Sequence, residues 1–392
     1  MPVTPAARAS RQEILTRART LAPLFAGRAE AAEQARRIPP QSAQDMLDAG
    51  FARILLPQRL GGYGLGFEDW FDVTRELGKA DASHGWCAGL IIHHAHLIAQ
   101  FPEQAQKALW AGGPDVAIAA SFAPNAQAVA VDGGYRISSK GSPFASGVDH
   151  CSWVMLGAMT QDEPKAEWKF FLLPVGQYTV RDTWFTAGMQ GTGSKTIVTE
   201  DAFVPDGLVL RLSDLRDGTG SGAAVDGGTI FHTPFFYYAP ISFVAPMIGA
   251  AQGAYEVFRE RTRTRRAQDG TSIGEKTAVQ VGMARAAADI DAADLLLRRA
   301  VRVAGNAEEY SSQLLARSVR DFTRASELCV EAVDSLVALS GTAGFASSHP
   351  IQRAWRDIHF MSMHISLNSG VNYANFGRIE FGLGRDPTHP YF

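Results

Sequence analysis

The 392-residue chain is poor in cysteine, and its three, Cys87, Cys151 and Cys329, are widely spaced with no C-x-x-C. That excludes a disulfide framework or a zinc knuckle and fits a reducing compartment. It also lacks a basic excess: the formal net charge is -3 and the isoelectric point about 6.4, so phosphate-rich partners such as nucleic acid or an anionic membrane are not expected. No uninterrupted apolar run approaches the roughly 18 residues of a membrane span, and MPVTPAARASRQEILTRA has no signal-type apolar core. A cytoplasmic protein is expected.

Chemical signatures are missing as well. The glycines at 61, 62, 64 and 66 in LGGYGLGFEDW miss the G-x-G-x-x-G spacing of a dinucleotide loop. In GMQGTGSKT (Gly188 to Thr196), Ser194 separates Gly193 from Lys195, so a turn between strands is expected rather than a phosphate loop. No G-x-S-x-G elbow supports nucleophilic catalysis. His93, His94 and His96 have neither the usual i, i+4 ligand spacing nor a carboxylate cluster nearby, so no metal is expected.

What the chain has is apolar periodicity and aromatic residues, with 22 Phe, 9 Tyr and 7 Trp. From Ser10 to about Leu109 the pattern is helical, with Ile14, Ala18 and Leu21 on one stripe and a break at Pro39-Pro40. After Gly112-Gly113-Pro114 come short β-type runs: VAIAASFA, GGYRISSKGSPFASG, CSWVMLGAM, WKFFLLPV and SKTIVTEDAFVP. The stretch Asp217 to Gly228, DGTGSGAAVDGG, reads as a surface loop or boundary. Two long amphipathic stripes follow, Val279 to Leu297 and Leu315 to Leu339, which demand a helical bundle. The expected division is a helical unit at 1–112, a β unit at 113–226 and a helical bundle at 227–392. Polar points set in apolar surroundings remain as candidates for chemistry: Trp86, His94, Ser121, Ser146 and His364. Each taken alone has an equally ordinary reading as a hydrogen-bonded core residue.

Several segments together resemble the acyl-CoA dehydrogenase superfamily, over about Arg36 to Phe381. They are LLPQRLGGYGL, GMQGTGSK with DAFVP, GAAQGA (Gly249 to Ala254), SGTAGF (Ser340 to Phe345) and HPIQRAWRD (His349 to Asp357). The resemblance implies a helical N-terminal domain, a β-barrel-like middle domain, a C-terminal four-helix bundle, a homotetramer, and flavin held between domains and subunits. Dehydrogenases of this superfamily use a glutamate base, yet IHFMSMHISLN after Arg356-Asp357 holds no carboxylate, and no glutamate lies between Glu200 and Glu256. Proton abstraction next to a thioester has lost its base.

The departures resemble one branch, the oxygenase components of two-component flavin monooxygenases such as 4-hydroxyphenylacetate 3-hydroxylase. The shared features are Trp86, His94 and Phe101-Pro102; Ser121 with Pro124; Phe144 to Gly147; and His359 with His364 after W-R-D. This likeness implies reduced FMN or FAD from a separate NAD(P)H:flavin reductase, O2 as co-substrate, a C4a-hydroperoxyflavin, and hydroxylation of a small aromatic substrate. By the same likeness Ser146 is the partner of flavin N5, His364 lies near the oxygen adduct, His94 and Ser121 face the substrate, and Trp86 and Ser121 also border the flavin. Arg263 and Arg265 either contact flavin phosphate or form a solvated charged face. Thr342 and Ala343 approach flavin across a subunit boundary, and Phe231 to Pro240 either walls the pocket or is ordinary core. The rival expectations are a dehydrogenase with bound FAD and a flavin-dependent oxidase or N-oxygenase of the same fold.

Overall fold

In the computed structural model, residues 9–161, 165–226, 228–306 and 309–386 are described. Ser10 opens the first helix, α1 (Arg11–Ala35), by accepting from the backbone of Glu13 while Glu13 accepts from the backbone of Ser10. This capping box satisfies two helix-end donors at once. Pro39 and Pro40 break the chain as expected, and Pro40 occupies the first position of α2 (Pro40–Asp48). Then come α3 (Phe67–Ala80), α4 (Ala82–Ile98) and α5 (Glu103–Leu109). Helix α4 is buried along almost its whole length, between α3 and the later strands and helices. It can therefore carry polar groups inside the protein.

The middle of the chain forms one seven-stranded mixed sheet from β1 (Ile118–Val131), β2 (Gly134–Ala145), β3 (Trp153–Thr160), β4 (Trp168–Pro174), β5 (Thr179–Arg181), β6 (Lys195–Pro205) and β7 (Val209–Arg211). Their order is β5-β6-β2-β1-β3-β4-β7. Strands β1 and β3 are parallel, and their register slips immediately after Ser121, which pairs with Leu156 while Ala126 pairs with Ala158. Such an irregularity bends a strand and re-aims its side chains. Ser121 thus stands where β1 leaves its regular ladder.

Two short helices, α6 (Leu212–Asp217) and α7 (Ala223–Asp226), lead to α8 (Ile241–Thr264), α9 (Thr277–Asn306), α10 (Ser312–Ser340), α11 (Pro350–Ser362) and α12 (Ser369–Glu380). The segment expected to be linker-like is not loose. Gly222 donates its backbone N–H to the Gln100 carbonyl, and any Cβ there would collide with the carbonyls of Ala99 and Phe101. Its glycines permit close packing under the end of α4, a role that composition does not distinguish from flexibility.

The bundle stripes are buried as expected: Val279, Ala286, Ile290, Ala293 and Leu297 on α9, and Leu315, Val319, Phe322, Ala325, Cys329, Ala332 and Leu336 on α10. Helix α10 with its extension to Phe345 is long and apolar enough to cross a membrane by length and composition. Its apolar side nevertheless packs against α8, α9, α11 and α12, as the core helix of a bundle does. Helix α8 crosses α3 at the GAAQGA segment. A Cβ on Gly249 would strike the Arg75 carbonyl and one on Gly253 the Lys79 carbonyl, so the two backbones touch there.

Candidate active site

Trp86, Ser146 and His364, far apart in the chain, converge. The Trp86 indole Nε1–H donates to Ser146 Oγ at 3.1 Å. Its ring lies 6.2 Å from the His364 imidazole, and both face Phe243 of α8, at 5.1 and 3.7 Å respectively. Phe243 was not singled out from the sequence, because a lone Phe on a buried helix carries no signal of its own. Ser146 is aimed by its turn. Phe144 just before it has φ +65°, an unfavourable conformation for a side chain with a Cβ, and Gly147 donates its N–H to the Thr192 carbonyl.

His94 shares α4 with Trp86, and Ser121 is tied to the strand that leads into Ser146. Ser121 Oγ–H donates to the Pro143 carbonyl at 2.7 Å, which ties β1 to the strand end leading into Ser146. His94 Nδ1–H donates to the Ile118 carbonyl at 2.6 Å. Its ring neighbours His93, and His93 stacks near Phe235, which in turn stacks on Phe122. The run Phe231 to Pro240 therefore packs its aromatic side chains into the core below α4, and Tyr238 lies edge-on against His93 and His96.

The two candidate histidines are neutral and of opposite tautomer. Burial pushes each down to about 4 from the ordinary histidine range, so both are uncharged at neutral pH. In His94 the proton is on Nδ1, leaving Nε2 an acceptor. In His364 the Nδ1 atom accepts from the backbone N–H of Ser366, capping a 3-10 turn, so the proton resides on Nε2, a donor. Ser121, with its proton committed to Pro143, is likewise an acceptor towards any ligand.

The three-histidine cluster on α4 serves packing and placement. His96 Nε2–H donates to the Ile230 carbonyl, while both ring nitrogens of His93 are buried without a partner among aromatic rings. Among the described residues no group of three His, Cys, Asp or Glu is arranged to hold a metal ion. Half-buried Trp86, Ser146 and His364 present polar atoms at the rim of aromatic faces. That suits a flat heteroaromatic ring with a polar edge, such as the isoalloxazine of a flavin.

Residues 9–113 match the acyl-CoA dehydrogenase N-terminal domain and residues 241–369 the acyl-CoA dehydrogenase C-terminal domain. The chain is 34% identical over 382 residues to the flavin-dependent monooxygenase oxygenase subunit HsaA of Mycobacterium tuberculosis, covering 95% of this chain and 96% of that one. The chain belongs to this family. The FADH2-dependent resorcinol hydroxylase oxygenase component of a Rhizobium species is 35% identical, covering 93% of this oxygenase-family chain and 92% of its own. The crystal structure of 3-HSA hydroxylase from Rhodococcus superposes with a TM-score of 0.90 at 32% identity, covering 96% and 98% of the two chains. No carboxylate is hydrogen-bonded to Trp86, His94, Ser121, Ser146 or His364 among the described residues, so the chain has no dehydrogenase-type base at this place.

The other residues expected to meet flavin form a second group. Arg265 donates to the Leu339 carbonyl beside Gly341, and its charge, with that of Arg261, joins burial in lowering the affinity of His349 for a proton. Thr342 and Ala343 are exposed on the adjoining turn, and Arg263 is exposed on Glu260. No hydrogen bond, ion pair or ring contact among the described residues joins this group to Trp86 and Ser146. A shared flavin would have to bridge them or come from a neighbouring subunit.

Asp357, directly after Arg356 on α11, is an unforeseen feature of the oxygenase. It is 3% exposed and accepts the backbone N–H of Met189 at 2.5 Å. Burial, and then the charge of Asp81, push its carboxyl up to about 7, against the opposing pull of the Met189 N–H and Arg356. An acid with a raised folded pKa costs nothing below its unfolded value near 4; its cost grows as pH rises through that value to about 7 and is constant above. Asp357→Asn keeps an acceptor for Met189. It is expected to match the wild type in urea denaturation at pH 4.5 and to exceed it at pH 8 by roughly 2–4 kcal/mol. Parallel pH profiles for the two proteins would show that this carboxyl is ionised without penalty.

Proposed function

We propose that the enzyme is the oxygenase component of a two-component system that hydroxylates a small phenol-like or indole-like substrate, with reduced FMN or FAD delivered by a separate NAD(P)H:flavin reductase. The convergence of Trp86, Ser146, Phe243 and His364, with no carboxylate among their contacts, carries this reading. A dehydrogenase requires a base where this site offers only neutral groups. The names of the relatives, resorcinol hydroxylase among them, favour a hydroxylated aromatic ring as substrate.

Reduced flavin, when bound, supplies the activation of O2. The chain's own groups then have distinct tasks. Trp86 and Phe243 give apolar faces that exclude water, and Ser146 accepts at the ring edge. His364 offers a neutral N–H donor where negative charge on oxygen develops. On the substrate side, His94 Nε2 accepts from a phenolic O–H, with Ser121 Oγ as the second acceptor for a further donor on the substrate, which raises electron density in the ring without needing a charged base. Arg263 and Arg265, with Thr342 and Ala343, would meet the flavin phosphate end across a subunit boundary.

The exposed Phe345, Met363, Ile365, Phe381 and Leu383 fit burial in a homotetramer. The three units at 1–112, 113–226 and 227–392 then meet around the flavin, and the assembly works in the cytoplasm. Rapid mixing of the purified protein, loaded with chemically reduced flavin, against oxygenated buffer is expected to give a transient absorbance band belonging to neither oxidised nor reduced flavin. Direct reoxidation without such a band, for both FMN and FAD, would remove the oxygenase reading.

A further inference from the structure

Ser146 is the near end of a chain of hydroxyls. Ser146 Oγ is 2.7 Å from Ser194 Oγ, and Ser194 Oγ is 2.7 Å from Thr192 Oγ1. Thr192 Oγ1 reaches the Met189 carbonyl at 2.8 Å. Thr192 is 1% exposed and Ser194 5% exposed, so water does not compete for these bonds. Met189 is held by its N–H bond to Asp357, and its carbonyl also takes the Trp184 indole N–H at 2.9 Å.

The two ends determine which way every proton points. A carbonyl can only accept and an indole N–H can only donate. Thr192 therefore spends its single proton on Met189 and must accept from Ser194. Ser194 spends its proton on Thr192 and must accept from Ser146. Ser146, already accepting from Trp86, gives its own proton to Ser194. What Ser146 has left to show the pocket is a lone pair.

We propose that Ser194 and Thr192 are positioning residues that hold Ser146 as a pure hydrogen-bond acceptor, so that the site favours the reduced flavin, whose N5 carries a proton, over the oxidised flavin, whose N5 carries none. This rests on the reading of Ser146 as the partner of flavin N5. An acceptor there pairs with N5–H and opposes its loss. Facing the bare N5 of oxidised flavin, it sets lone pair against lone pair. The segment GTGS, which from its spacing is only a turn before β6, is in this view the part of the chain that sets the polarity of the flavin contact.

The test compares the dissociation constants of oxidised and reduced flavin, measured anaerobically with FMN and FAD, for the wild type, Ser194→Ala, Thr192→Val, Thr192→Ser and Ser146→Ala. In Ser194→Ala the Ser146 proton has no acceptor and is free to turn towards oxidised N5. The ratio of oxidised to reduced constants is expected to fall about tenfold, mostly through tighter binding of oxidised flavin, since tenfold is about 1.4 kcal/mol, the upper part of the range for one net hydrogen bond. The midpoint potential of bound flavin then drops by about 30 mV, the two-electron equivalent of tenfold. The near-isosteric Thr192→Val shifts the ratio the same way, while Thr192→Ser, which restores the hydroxyl, stays at the wild-type value. If Ser194→Ala and Thr192→Val leave the ratio within twofold while Ser146→Ala alters it, the relay is wrong and Ser146 keeps its place. If Ser146→Ala leaves it unaltered as well, the N5 contact itself is wrong and the relay falls with it.

Discussion

His364→Ala is expected to lower hydroxylated product by about 100-fold or more while leaving the affinity for reduced flavin within a fewfold, in the range seen when one oxyanion-type donor is removed. The imidazole lies against Phe243, ring centroids 3.7 Å apart and tilted by 30°, and its donor nitrogen is fixed by the Nδ1 contact to Ser366. Ala removes both the donor and the ring that seals that side from water. His364→Asn, which can place an amide donor, should recover part of the loss. Because burial holds the ring at about 4, His364 stays neutral across the working range, and the rate should show no inflection from it between pH 6 and 8. Product yield near wild type in the alanine variant, by single-turnover analysis with chemically reduced flavin, would remove His364 from the reaction.

The second large effect concerns fidelity. Ser146→Ala is expected to raise the fraction of O2 released as hydrogen peroxide severalfold, up to the point where most turnovers are unproductive. The serine is the polar atom that Trp86 and the Ser194–Thr192 hydroxyls converge upon. Without it the Trp86 N–H loses a half-buried partner and the flavin edge meets a methyl group. A lost acceptor of this kind costs about 1–3 kcal/mol, roughly one to two orders of magnitude in the lifetime of the state it stabilises. Peroxide assay beside product assay over one turnover separates this from simple inactivation. An unchanged ratio of peroxide to product would leave Ser146 with only a structural part.

The fold was legible because its signals are local and repeated. Spacings of three and four on α9 and α10, paired prolines at 39 and 40, and the run of short β-type segments each translate directly into an element. The site was legible only through resemblance. Nothing in the spacing of Trp86, Ser146 and His364 brings three different elements to one place. Phe243 escaped because aromatic core and aromatic wall look alike in sequence. Ser194 and Thr192 escaped because their value lies in which partner takes each proton, a property of the assembled β2–β6 junction. Arg356-Asp357 served in the sequence only as a landmark of the resemblance, and the raised carboxyl of Asp357 escaped because it depends on burial beside Asp81 and Met189. The glycines at 220 and 222 read as linker composition, because the residue that suits a loose loop is also the one that leaves room for the end of α4 to pack against its backbone.

The crossing of α8 over α3 has a reach beyond its own location. Gly249 touches the α3 backbone, and Phe243 lies six residues earlier on the same helix, roughly 9 Å along its axis. Pro246, between them, gives up one intrahelical hydrogen bond, but its own backbone abuts Gly78 of α3, so the contact with α3 begins three residues from Phe243. The crossing thus acts as the fixed stop of a ruler, and the plane on which the His364 ring rests is measured from it. A methyl group gained there would lift α8 and carry Phe243 with it, so a change in the structural interior of the N-terminal helices would be read out as a change in how tightly the reaction chamber closes.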